Sequence, residues 1–280
     1  MGKATPFFLA LLFLTLLSSS ADATPIHAIR MPASTEAECS GRPITRYEEA
    51  ASAIVCVSAK ELNLPIHATY LLLHQNRQAF ESSLVNGRRF DAAYARETAS
   101  WAVALSTADL ILANEAALRL LPWAERVRVL AHELVHTVQY DLAQGRRSSS
   151  DQWLREGLAE WVAYRVVNSL QLGNFSQRIP LASSRVRKAY VHGPLPLLSQ
   201  MVTFREFAEL RSSPGAPPVY DQTFLATNFL IQRSGLEAVL QYFRLFAQSD
   251  DRLGNFRTAF GRDLSTFEEE FGLYLRELLH

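Results

Sequence analysis

Two histidines four residues apart, His132 and His136, sit in a run that has to be both helical and packed. The residues around them are apolar or uncharged: Val129, Leu130 and Ala131 before, Leu134 and Val135 between, Thr137 and Val138 after. Val127, Leu130, Leu134 and Val138 recur at helical spacing, and Pro122 stands where a first-turn proline belongs. On a helix, residues four apart lie one turn above each other on one face. The two imidazoles therefore point the same way and can share one metal ion. Glu133 follows the first histidine directly, so its side chain leaves the helix at the edge of that face. It can reach a water beside a metal without readily binding the metal itself, which is the mechanical reason for a His-Glu-x-x-His pattern. The plain alternative is two histidines and a glutamate on a solvated helix. The packed surroundings weigh against it, because buried His and Glu need polar partners and a metal supplies them.

A catalytic zinc takes three protein ligands and keeps one position open. The next helical stretch, Trp153-Leu-Arg-Glu-Gly-Leu-Ala-Glu160, offers carboxylates at Glu156 and Glu160. Enough chain lies between for this helix to fold back antiparallel on the first, with Gly157 permitting close approach. Glu156 is the expected ligand. Glu160, one turn on, is placed to accept a hydrogen bond from a ligand histidine and set its tautomer. The two glutamates in exchanged roles are the alternative. Leu154, Leu158, Trp161 and Val162 argue against a merely exposed face.

The blocks His132-Glu-Leu-Val-His136 and Trp153-Leu-Arg-Glu-Gly-Leu-Ala-Glu160 together resemble the signature of the gluzincin metallopeptidases. The resemblance is to the peptidase MA-like domain and the catalytic domain of aminopeptidase N-type enzymes, and it covers about thirty residues directly. It implies one zinc ion on His132, His136 and Glu156, Glu133 as general base, a zincin-like fold and a peptide or protein substrate. A weaker likeness runs through Val219-Tyr220-Asp221-Gln222-Thr223-Phe224, and by it Tyr220 stabilises the oxyanion. Gly193-Pro-Leu-Pro-Leu197 resembles a linking segment of these domains. The Gly-Ala-Met-Glu-Asn peptide-anchoring motif of the large aminopeptidases is not found; Ala113-Asn114-Glu115 is only a fragment of it. That departure argues against their particular specificity. A non-catalytic zinc-binding protein of the same fold, or a zinc hydrolase of another substrate, are the rival readings. His192 is considered as a further cleft residue.

Hydrophobic patterning predicts an α+β chain: a small mixed sheet with helices, then a mainly helical part, with the zinc site between them. Residues 24–45 read as an extended lead-in. Helices are predicted over 47–62 and 76–85, and strands over 68–74, 101–106 and 109–113. The last of these is the predicted sheet edge for an added peptide strand. Residues 24–150 form the predicted α/β subdomain and 151–280 the helical one. Asp151 is the expected cap of a helix over 152–170. Residues 176–200 read as irregular, and helices follow over 203–210, 221–233, 236–248 and 265–279.

Ahead of all this, Lys3, the apolar run 7–17 and Ala21-Asp22-Ala23 read as a secretory signal peptide cut after Ala23. An uncleaved anchor is the alternative, although spanning a bilayer takes about 20 residues. No later run is long enough to span, so the mature chain is expected to be soluble, and secreted or periplasmic. In such a compartment the two cysteines, Cys39 and Cys56, are expected to form a disulfide. Basic and acidic residues balance at 28 each, which gives no footprint for nucleic acid.

Overall fold

The computed structural model describes residues 24–39, 43–88, 90–212 and 216–279. The leader expected over 1–23 lies outside the described residues. The chain is α+β with a four-stranded mixed sheet. It opens with β1 (His27–Met31), inside the stretch read as an extended lead-in. Five residues with only Ile29 and Met31 buried are too short a pattern to reveal a strand. α1 (Tyr47–Lys60) follows, its entry held by Glu49, whose carboxylate accepts from the Thr45 and Arg46 N–H groups at 2.8 and 3.0 Å. The Cys39–Cys56 disulfide is present and ties the segment after β1 to this helix.

β2 (Thr69–His74) leads to α2 (Arg77–Arg88) and α3 (Ala92–Trp101). Asp91 caps α3 by accepting from the Ala93 and Tyr94 N–H groups at 2.9 and 3.2 Å. The helix ends at Trp101, where the sequence predicted the start of a strand. β3 (Ala104–Ser106) and β4 (Leu110–Asn114) complete the sheet in the order β1-β2-β4-β3, with β2 and β4 parallel and the other pairs antiparallel. The predicted edge at 109–113 is therefore wrong: β4 pairs on both sides, and the edge on this side of the sheet is β3. A three-residue strand carries too little periodicity to compete for that place in the sequence. Alternation splits the sheet between two cores. Leu71, Leu73, Ile111 and Ala113 face the main core, while Leu112 faces a small cluster with Phe80, Leu84, Ala95 and Ala99 under α2 and α3.

α4 (Glu115–Arg119) and the long α5 (Trp123–Leu142) come next, and α5 carries the His-Glu-x-x-His run. α6 (Gln152–Ser169) packs back along it. Asp151 holds the N-cap position of α6, but its side chain does not cap. It turns to the Tyr242 hydroxyl at 2.6 Å and the Arg252 guanidinium at 2.7 Å. The first free N–H groups of α6, on Gln152 and Trp153, instead reach the Val202 and Met201 carbonyls at 2.8 and 2.9 Å.

Residues 176–200, read as irregular, contain α7 (Phe175–Tyr190). Pro180 within it and its Ser/Arg-rich composition hid the helix, which is started by Asn174 accepting from Ser176 N–H at 2.9 Å. α8 (Phe204–Ser212), α9 (Val219–Ser234), α10 (Leu236–Leu245), α11 (Arg252–Phe260) and α12 (Leu264–Leu279) finish the chain. Gly235, at φ +81°, makes the break between α9 and α10. One hydrophobic cluster extends from Ile29 to Leu275, so both parts of the chain contribute to the same core. No helix among the described residues is long and apolar enough to cross a membrane.

Gly157 does permit a close helix approach, but the neighbour is α9 rather than α5. A Cβ built there would lie 2.1 Å from Thr227 Oγ1 and 2.5 Å from the Thr223 carbonyl oxygen. Thr227 could rotate, but the backbone oxygen could not. Gly157→Ala is therefore expected to destabilise the protein by about 1–3 kcal/mol, the usual cost of overpacking. It should also push α6 away from α9. Chemical denaturation with an unchanged midpoint would exclude this account.

Candidate metal centre

α5 and α6 run antiparallel, and their polar partners follow that register. His132 faces Glu160 and, further along α5, His136 faces Glu156. Two helical faces, each with a repeat of four, thus meet as a square of two imidazoles and two carboxylates. All four groups are largely removed from solvent.

Each imidazole is anchored through Nδ1. His132 Nδ1 lies 3.0 Å from Glu160 Oε1, and His136 Nδ1 lies 2.9 Å from Gln139 Oε1. A carboxylate can only accept. The Gln139 amide donates its Nε2–H to the Arg155 carbonyl at 2.9 Å, so its oxygen is the atom turned to His136. Both imidazoles therefore carry their proton on Nδ1, an assignment made from the hydrogen-bond network. Their Nε2 atoms are then bare lone pairs, only 3.1 Å apart. The Glu156 carboxylate lies against both, with Oε2 3.3 Å from His132 Nε2 and Oε1 3.7 Å from His136 Nε2. Three acceptors this close need a cation between them. A proton on His132 can fill that role, and a metal ion would displace it. The buried His132, His136 and Glu156 group could accordingly hold a metal ion.

Electrostatics agree with the geometry. Burial opposes a charged imidazole at His132, but the Glu156 and Glu160 carboxylates outweigh it and raise the pKa to about 10. Burial likewise opposes ionised Glu156, yet His136 and His132 hold its carboxyl well below the usual range. For Glu160 the Arg128 guanidinium and His132 overcome burial and bring the pKa down to about 2. Arg128 donates to Glu160 Oε1 at 2.7 Å and to Glu125 at 2.7 Å, so Glu160 is held as a fixed anion behind His132. Gln152 steadies Glu156 by donating to its Oε1 at 2.6 Å.

Glu133 is half-buried at the edge of this group and lines the cleft in front of it. The Ser106 hydroxyl, on edge strand β3, reaches both the Glu133 carboxylate and its backbone carbonyl. Tyr220, at the start of α9, lines the same cleft, and Arg211 Nη1 approaches its hydroxyl at 3.4 Å. Burial, and then the Glu156 carboxylate, push the Tyr220 phenol well above its ordinary range. The cleft consists of two adjoining cavities of about 380 and 570 Å3, with His132, Glu133 and Tyr220 lining both. Trp101 stacks on Phe204 at 6.4 Å and under Arg211 at 4.0 Å, which joins α3 to α8 across the opening.

The structure thus brings together His132, Glu133, His136, Glu156, Glu160 and Tyr220. His192 is exposed beyond α7 and does not line the cleft. Arg128, Gln139 and Gln152 were missed in the sequence, although helical spacing could have found them. They lie four before His132, three after His136 and four before Glu156. Ser106 and Arg211 carry no such signal, because they come from other elements.

No protein-family model matches this chain, and comparisons with characterised proteins and with solved structures find no match.

Proposed function

We propose that this protein is an exported zinc peptidase of the zincin type, with residues 1–23 removed on export. The observation that carries the reading is the buried group of His132, His136 and Glu156 beside Glu133. Zinc bonds of about 2.0–2.1 Å in tetrahedral geometry separate ligand atoms by about 3.3–3.4 Å. The two Nε2 atoms lie 3.1 Å apart, and the Glu156 carboxylate approaches each near that value through a different oxygen, Oε2 at 3.3 Å from His132 Nε2 and Oε1 at 3.7 Å from His136 Nε2. Three protein ligands with an open fourth side are the mark of a catalytic rather than a structural site.

A zinc ion held there would supply a Lewis acid for the attacking water and the substrate carbonyl. Glu133 accepts the proton of that water and delivers it to the departing amine. The Ser106 hydroxyl keeps the Glu133 carboxylate turned to the cleft. Tyr220 stays protonated across the working pH range, so its hydroxyl can donate to the oxyanion of the tetrahedral species. Glu160 and Gln139 hold the two imidazoles in the tautomer that leaves Nε2 free. An extended peptide can pair with the outer edge of β3, beside Glu133.

The test is hydrolysis of a mixed peptide pool by the purified chain. Cleavage should stop on chelation and return on adding zinc in stoichiometric amount. A chain that binds zinc and cleaves no peptide in the pool would instead support a binding role or a different substrate.

A further inference from the structure

The arginines of the cleft are not balanced by acids. Arg128 and Arg178, on its inner side, are paired with Glu125, Glu160 and Asp221. Arg147, Arg155 and Arg211 also line the cleft, and none of the three has an ion-pair partner among the described residues. Two of them lie together at the end beyond His136 and Glu156. Arg155 is only 4% exposed, donates Nη1 to the Arg147 carbonyl at 3.0 Å, and leaves its Nε unpartnered. The Arg147 guanidinium carbon lies over the Tyr140 ring, 4.0 Å from its centre, with Nη2 3.3 Å from the phenol oxygen. Its Nε and Nη1 are shielded from solvent and have no acceptor.

Buried guanidinium N–H groups without acceptors are costly, and they are rarely left so unless a ligand completes them. The charge count points to the sign of that ligand. A divalent cation on two neutral imidazoles and one carboxylate leaves one positive charge, which Glu133 cancels. The arginines then remain as a net positive lining, and a neutral peptide would leave them unmatched. Guanidinium forks match carboxylates in both shape and charge.

We infer that Arg147 and Arg155 form a subsite for a substrate carboxylate, adjacent to the metal centre. This deepens the peptidase reading and rests on it for the word substrate. The carboxylate is either an acidic side chain or the free end of the peptide. Arg155 is the fixed member, held by α6 and the core. Arg147, on the loop between α5 and α6, is the adjustable one, with Tyr140 as its platform.

The experiment is fluorescence-anisotropy titration of labelled octapeptides with the zinc-loaded full chain carrying Glu133→Gln, which prevents turnover. One arm uses end-capped peptides with Glu or Gln at each position in turn. The other compares a free with an amidated C-terminus. One matched pair should differ by about tenfold or more, as expected for a charge-assisted bond in a shielded site. The arm in which it occurs identifies the source of the carboxylate. Arg147→Gln should erase the difference, and Arg147→Lys should keep part of it. The comparison before any Arg147 substitution stands even if a variant fails to fold. Equal affinities throughout, a preference that Arg147→Gln retains, or no binding by any peptide would overturn the subsite. The peptidase reading fails separately: wild-type chain that prefers carboxylate peptides but cleaves none would sink it and leave the subsite standing.

Discussion

Replacing Glu133 with glutamine is expected to leave zinc binding intact and to lower peptide hydrolysis by about a hundredfold to ten-thousandfold, the usual contribution of a positioned base. The reason is the place of Glu133 on α5. It lies at the edge of the ligand face, and it is not in the group that could hold the metal. Glutamine has the same shape, and its amide oxygen still accepts from Ser106, so the helix and the cleft have no cause to move. What is lost is the ability to take a proton. The loss should fall on kcat, with KM nearly unchanged, because the proton is moved only in the reaction. Metal content by mass spectrometry and initial rates on one cleaved peptide decide the matter. Normal rates with full metal would remove Glu133 from the mechanism. Loss of metal together with rate would make it a ligand instead.

Glu156→Ala should do the reverse and take the metal away. Removing an outer partner of a metal ligand costs about 10–100-fold in affinity, so removing a ligand should cost at least the upper end of that range. The effect is readable without any substrate. With free zinc at about a thousand times the dissociation constant, binding stabilises the folded chain by about 4 kcal/mol. A hundredfold weaker site under the same conditions retains about 1.4 kcal/mol. The zinc-dependent rise in Tm should therefore shrink to about a third or less. Glu160→Ala is the control for exchanged roles. Because Glu160 sits behind His132 on Nδ1, at 3.0 Å, its loss should weaken zinc without abolishing it. The opposite ranking would make Glu160 the ligand.

Much of this centre was legible because both of its halves are helical. His132 and His136 share a face by period alone, and so do Glu156 and Glu160. The same rule would have reached Arg128, Gln139 and Gln152, had it been applied to the neighbours of His132, His136 and Glu156. The larger elements were also readable. α6, α9 and α12 fall within a few residues of their predicted ranges, because each has a long apolar period. The short or polar elements were not. β1 spans five residues within the predicted lead-in, β3 keeps only the last three residues of the strand predicted over 101–106, and α7 hides behind Pro180 and its polar composition. α11, nine residues long, was also missed.

The sequence by itself determined the chemistry on offer: two imidazoles and a carboxylate on one packed helix, two more carboxylates on the next, and a cysteine pair that does form a bridge. Only the tertiary structure decided how these groups use their atoms. Which nitrogen of each histidine is bare depends on Glu160 and Gln139, and which strand borders Glu133 depends on β3 taking the sheet edge in place of β4. Which helix presses on Gly157, and which arginines are left without acids, are likewise settled by contacts between distant segments. The physical reason is range. Helical period is a property of neighbours in the chain, whereas tautomers, sheet order and charge pairing arise from the packing of elements that the chain holds far apart.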